Sequence, residues 1–132
     1  MNRRTFFSLL LRGAATLPWI SLGGIKTAQT TGGVRIQQSP LAGFQYHDGA
    51  RCFEHLRIGA PLALVREPDN PFDARAVRVE WRGRKLGYVP RMENTAVAQM
   101  LDRGAQLSAR IVELRQSRDP WQRIRFEVVL DG

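Results

Sequence analysis

The chain has 132 residues, of which 43% are hydrophobic and 24% charged, and its formal net charge is +8. That leaves room for one folded domain and a short leader, and it is too apolar for a disordered chain. Cys52 is the single cysteine, so an internal disulfide is excluded and the core alone must hold the fold.

The charge is uneven. Arg3, Arg4, Arg12 and Lys26 fall in the first thirty residues, which contain no acid; without them 16 basic side chains face 12 acidic ones. A moderately basic domain favours polyanions such as nucleic acid or anionic lipid. Asn2-Arg3-Arg4-Thr5-Phe6-Phe7, followed by a weakly apolar stretch to Ile25, is similar to a twin-arginine export signal. Residues 1–30 are therefore expected to be a signal peptide that carries the domain to the periplasm or out of the cell. A cytoplasmic location is the alternative, should the start site be misassigned. Arg12 limits the uninterrupted apolar run to Gly13–Ile25, below the roughly 20 residues that span a bilayer. Membrane contact is expected only through an uncleaved leader.

Residues 31–37 read as linker and first extended segment, and residues 38–132 as the domain. Val34 to Gln38 and Leu41 to Tyr46 flank Pro40 as extended pieces. Pro61 to Val65 is a short apolar strand that stops at Pro68-Asp69-Asn70-Pro71. Ala76 to Trp81 alternates apolar and charged residues, as a half-buried strand does. Arg82-Gly83-Arg84 turns it into Lys85 to Val89, and Pro90 ends that strand because it cannot donate to a ladder. One helix follows, with Asn94 at its N-cap, Val97, Met100 and Leu101 on one face, and Gly104 at its left-handed C-terminal cap. Leu107 to Leu114 and Ile124 to Leu130 are the last strands, turned by Ser117-Arg118-Asp119-Pro120. About six strands with one or two short helices predict a mainly β fold, a small closed or partly closed barrel.

The chain carries no nucleotide-binding loop, nucleophile elbow or paired metalloprotease histidines. No enzymatic activity and no cofactor are expected. His47, Cys52 and His55 are the only zinc-type grouping, and they lack the fourth ligand a structural zinc wants. Asp69 and Asp73 sit among prolines, where Asp and Asn usually bond their own backbone.

The stretch Arg66-Glu67-Pro68-Asp69-Asn70-Pro71-Phe72-Asp73-Ala74-Arg75-Ala76-Val77, followed by Gly87-Tyr88-Val89-Pro90-Arg91, resembles the signature of HIRAN domains. Gly43-Phe44-Gln45-Tyr46-His47 resembles that family's aromatic first strand. The resemblance, over roughly Gln38 to Leu130, implies an OB-like β-barrel that captures the 3′ end of single-stranded DNA. On the same footing Phe72 would stack on a base and Asp73 would accept from the terminal hydroxyl. Tyr46 would add an aromatic wall, and Asn70, Tyr88 and Arg91 would line the pocket or its rim. Gln45 stands where the fork remodellers of the family carry arginine, and His47 replaces a second tyrosine. Arg66, Arg75, Arg84 and Arg91 are the candidate phosphate contacts, whereas Trp81 and Trp121 read as packing residues.

The expected partner is single-stranded nucleic acid, bound by a monomer. The alternative is a cell-envelope module that holds an acidic peptide or another envelope component in the same groove. Changing both Arg3 and Arg4 to Lys is expected to retain the protein in the cytoplasm. Fractionation of cells making either form checks this, and an unaltered distribution would exclude the twin-arginine route.

Overall fold

The computed structural model describes residues 33–131, so the expected leader lies outside the described residues. Among the described residues there are six strands: β1 Val34–Pro40, β2 Pro61–Arg66, β3 Val77–Trp81, β4 Arg84–Tyr88, β5 Leu107–Leu114 and β6 Ile124–Leu130. Two short helices accompany them, α1 Gly49–Cys52 and α2 Thr95–Asp102. All neighbouring strands run antiparallel, in the order β1-β6-β5-β2-β3-β4.

The sheet is open where a closed barrel would have a continuous ladder. Instead of a ladder, its two margins share an isolated bridge between Ala42, just past β1, and Tyr88 at the end of β4, with Asp48 N–H donating to Lys85 O (3.0 Å) farther on. Two backbone bonds form the bridge, Ala42 N–H to Tyr88 O (2.9 Å) and Tyr88 N–H to Ala42 O (2.8 Å). Such close approach requires Gly87: a Cβ there would stand 2.2 Å from the Ala42 carbonyl oxygen. Register shifts at Arg35/Gln37, Val79/Glu80 and Ile111/Glu113 mark bulges that bend the strands.

Alternation decides which side chains go inside. Val77, Val79 and Trp81 of β3 point inward, and meet Leu86 of β4, Ile111 of β5, and Ile124, Phe126 and Val128 of β6. Burying each such aliphatic or aromatic side chain contributes about 1.5–3 kcal/mol. On β6 the buried carboxylate of Glu127 takes Arg35 of β1 on one oxygen and Arg110 of β5 on the other, which ties the marginal strand β1 to the sheet. Trp81 is buried, as expected of a packing residue, whereas Trp121 is about half exposed.

One expected strand is not there. Leu41 to Tyr46 is not extended: Gly43 takes a left-handed φ of 75° and the chain enters a 3₁₀ turn at Phe44–Tyr46. The cause is Phe44, which is drawn into the core and packs edge-on against Phe53 with ring centroids 6.0 Å apart. The aromatic run therefore does not form the strand that the resemblance implied. The helix α2 buries Val97 and Ala98, with Leu101 against the core and Met100 only half buried. Its C-terminal end is as expected: Gly104 N–H bonds Leu101 O (3.0 Å) and Ala105 N–H bonds Met100 O (2.9 Å). Asn94 occupies the N-cap position but makes no side-chain cap bond, and its Nδ2 donates to Asp73 Oδ2.

Gly87→Ala is expected to destabilise the domain by about 1–3 kcal/mol through this overpacking. Urea unfolding followed by tryptophan fluorescence measures it, and a midpoint equal to wild type would mean that the seam yields freely.

Candidate functional site

Beside the seam, three segments converge: the 3₁₀ turn after Gly43, the loop between β2 and β3, and β4 with the residues following it. Pro68 and Pro71 cannot donate backbone bonds, so the β2–β3 loop is held by its own short side chains. Asn70 Oδ1 accepts from the N–H groups of Phe72 (2.8 Å) and Asp73 (3.2 Å). Asp73 Oδ1 accepts from Arg75 N–H (2.9 Å). This bonding leaves the Phe72 ring at the tip with 83% of its surface exposed, while Asp73 lies half-buried behind it.

A groove of about 920 Å³ opens between the three segments, and Tyr46, Asn70, Phe72, Asp73, Tyr88 and Arg91 all line it. A smaller hollow of about 420 Å³ lies along the same loop and is walled by Phe72, Asp73, Arg75 and Arg91. The six side chains are brought together but occupied differently. Tyr46, 77% exposed, and Phe72 offer open aromatic faces. Asn70 and Tyr88 act inward: Asn70 Nδ2 and the Tyr88 hydroxyl both donate to Glu67 Oε1, each at 2.9 Å. Glu67 Oε2 accepts from Arg78 Nη1 at 2.7 Å.

The arginines divide likewise. Arg66 forms a two-pronged pair with Asp102 of α2 and donates to the carbonyls of Ala74 and Ala76, so it braces the loop and has no free donor fork for phosphate. Arg84 is away from the groove, with Nη1 4.0 Å from Cys52 Sγ. Arg91 lines the groove beside Lys85, whose Nζ stands 4.9 Å over the Tyr88 ring. Among the described residues neither Arg91 nor Lys85 forms a salt bridge. The cations lining the groove, Arg66, Lys85 and Arg91, are matched in number by Glu67, Asp69 and Asp73. A ring of free guanidinium groups is therefore absent among the described residues.

The zinc-type side chains do not converge. Cys52 is buried in the core, His55 is exposed, and the His47 ring packs edge-on against Tyr88 at 5.6 Å; no metal-binding cluster forms among the described residues.

Two of the groove carboxylates, Asp73 and Glu67, are held towards the ionised state. Burial alone would raise Asp73, but the Arg75 N–H, the Asn94 amide and the charges of Arg91 and Arg75 outweigh it and hold it below 3.8. Burial would also raise Glu67, and bonds from Asn70, Tyr88 and Arg78, with Lys85 nearby, hold it below 4.5. Burial and the Lys85 ammonium lower His47 below 6.5 against the pull of Glu67 and Asp48, which leaves a mostly neutral imidazole at pH 7.

Glu67, Lys85 and Asn94 were not among the expected site residues. Glu67 stands inside the quoted motif, and its place directly before a proline-bounded turn was the available signal. Lys85 alternates with Gly87 on the hairpin, whereas for Asn94 the cap reading concealed the role. Because depressed carboxylates stabilise the fold above their unfolded values, that stability is fully present at neutral pH and is lost as pH falls through their folded values. Glu67→Gln is accordingly expected to cost about 1–2 kcal/mol at pH 7 and to flatten the decline in melting temperature below pH 4.5. Thermal melts from pH 7 to pH 3 measure both; parallel curves for the two proteins would remove Glu67 from this role.

Comparison with known proteins identifies the fold and the family. A crystal structure of a protein from Lactobacillus plantarum is similar at 26% identity and a TM-score of 0.65, over 75% of this chain and 95% of that one. The crystal structure of the HIRAN domain of human HLTF is similar at 20% identity and a TM-score of 0.58, over 75% of this chain and 78% of that one, and shares the fold. No curated protein sequence matches. The HIRAN domain model matches residues 34–131, from the first residue of β1 onward. A match of that extent, on a sheet that sets Asn70, Phe72 and Asp73 in one turn, establishes that this chain belongs to the HIRAN domain family.

Proposed function

We propose that the groove binds an unpaired nucleic-acid strand, by preference the 3′ end of single-stranded DNA. Membership of the HIRAN family supports nucleic-acid binding in general. The observation that carries the finer reading is the exposure of Phe72, at 83%, over a groove that also contains an ionised, half-buried carboxylate.

A large ring held out in water by a braced turn is unfavourable for the free protein and useful when a flat partner covers it. Nucleobases are such partners, and stacking on an aromatic ring contributes about 1–3 kcal/mol per base without regard to sequence. Tyr46 supplies a second face. Asp73 gives the groove its polarity. Each of its oxygens already accepts one bond and keeps acceptor capacity for one more, so a terminal hydroxyl fits. A terminal phosphate brings like charge against it and is disfavoured. Arg91 and Lys85 are then the cations for the one or two phosphates nearest the end.

The near balance of charge separates this reading from a general polyanion track. A long track of paired phosphates predicts a steep salt dependence, whereas contact with one or two in a single strand predicts a log–log slope of only about −0.7 to −1.4. Export through the leader and the lack of catalytic activity belong to the same proposal: the protein acts as a binder outside the cytoplasm.

Titrating the protein into a 5′-labelled oligothymidine at several salt concentrations tests this. Phe72→Ala is expected to weaken binding roughly 5- to 150-fold, and a 3′-phosphorylated strand should bind more weakly than a 3′-hydroxyl one. Equal affinity for both ends would overturn end recognition. Tight binding of an acidic peptide, with none of the oligonucleotide at low salt, would favour the envelope reading instead.

A further inference from the structure

We propose that Asn94 is the positioning residue of the groove: its buried amide fixes the orientation of the Asp73 carboxylate and so sets the preference for a hydroxyl over a phosphate end. This inference rests on the reading of the groove given above.

The argument begins with what Asn94 does not do. It precedes α2 at the position where Asn normally accepts from the first-turn N–H groups. Here its backbone is α-helical, φ −95° and ψ −7°, and its side chain makes no cap bond. Its backbone carbonyl alone serves the helix, accepting from Ala98 N–H at 2.8 Å. The side chain is fully buried, and its Oδ1 has no donor among the described residues. A buried amide with one end unmatched is uncommon, since buried polar groups are nearly always satisfied. The residue thus forgoes a cap and tolerates an unmatched oxygen, and what it does in exchange is donate from Nδ2 to Asp73 Oδ2 at 2.7 Å.

That bond is one of two that define the carboxylate. Asp73 Oδ1 is held from its own loop by Arg75 N–H, and Oδ2 is held by Asn94 from α2. With both oxygens anchored, the carboxylate plane cannot rotate and its remaining lone pairs face a constant direction. Direction is what selects a hydroxyl, because a hydrogen bond weakens steeply when misaligned. The donor end of the amide also favours an ionised Asp73: both oxygens are then full acceptors, and the negative charge that repels a terminal phosphate is kept in place. Stacking on Phe72 is indifferent to what the strand ends in, so end discrimination falls to Asp73 and its anchor.

The test uses the full chain and two readouts. The first is the ratio of dissociation constants for 3′-phosphate and 3′-hydroxyl oligothymidine. Asn94→Ala should lower it roughly fivefold or more, the size expected from misaligning one charge-assisted bond, with affinity for the phosphorylated strand unchanged or increased. The second needs no nucleic acid: carboxyl-carbon NMR of Asp73 should show its titration midpoint rising in Asn94→Ala towards the ordinary 3.8. Asn94→Asp, nearly the same shape but without the donor, should raise that midpoint further. Should both variants fail to fold, the wild-type protein still decides, since its Asn94 side-chain amide protons must shift with the Asp73 midpoint. A folded Asn94→Ala with unchanged ratio and unchanged midpoint overturns the inference, as do wild-type amide protons that ignore Asp73. Failure of wild-type protein to bind either oligonucleotide instead overturns the groove's proposed function, which the nucleic-acid-free readout distinguishes.

Discussion

Everything at the groove depends on the Glu67 carboxylate. It directly follows β2 and collects three donors, Asn70 from the loop, Tyr88 from β4 and Arg78 from β3. Those three come from separate stretches of chain, and the bonds set the distance between the loop and the hairpin that face each other across the opening. Removing the acceptor would leave a tyrosine hydroxyl and an amide without their partner in a partly dry site, where lost bonds are costly, and would leave Arg78 with Glu80 alone. The two sides of the opening are therefore joined by a residue whose own bonds all point into the protein.

The exposed aromatic tip makes sense only on so firm a base. A ring on a loose loop would collapse onto the nearest apolar surface. Here Asn70 and Asp73 bond the loop's own amides, Arg66 ties the loop to α2 through Asp102, and the loop stays extended into solvent. The division of labour among the arginines follows. Arg66 and Arg78 are structural cations, fully matched by acids, while Arg91 beside the groove carries its charge outward. A net positive sequence thus yields a groove that is locally near neutral, and charge count alone misstates its character.

Much of this was legible in the sequence where local rules act alone. Strict alternation located β3, β5 and β6, Arg82-Gly83 marked the hairpin, and Gly104 ended the helix. The Asn70–Asp73 turn was readable because Asx bonding is local and proline forbids the alternatives. What escaped was decided at long range. Leu41 to Tyr46 has strand composition, but the core had a place for Phe44 and Gly43 allowed the chain to turn into it. Asn94 looks like a cap from its neighbours, and only the fold brings Asp73 within reach, 21 residues away in sequence. Arg66 and Arg84 look like phosphate contacts until their actual partners are seen.

The lone bridge between Ala42 and Tyr88 has a consequence for motion. Two backbone bonds join the margins of the sheet there, whereas the core strands are joined by full ladders. Local opening of the bridge takes less free energy than global unfolding, while buried Phe44 and the bond from Asp48 N–H to Lys85 O (3.0 Å) keep the turn bearing Tyr46 in place. An occupant wedged between Tyr46 and the opposite loop would act as a staple across that junction, and its arrival would be recorded in slowed deuterium uptake at the amides of Ala42 and Tyr88.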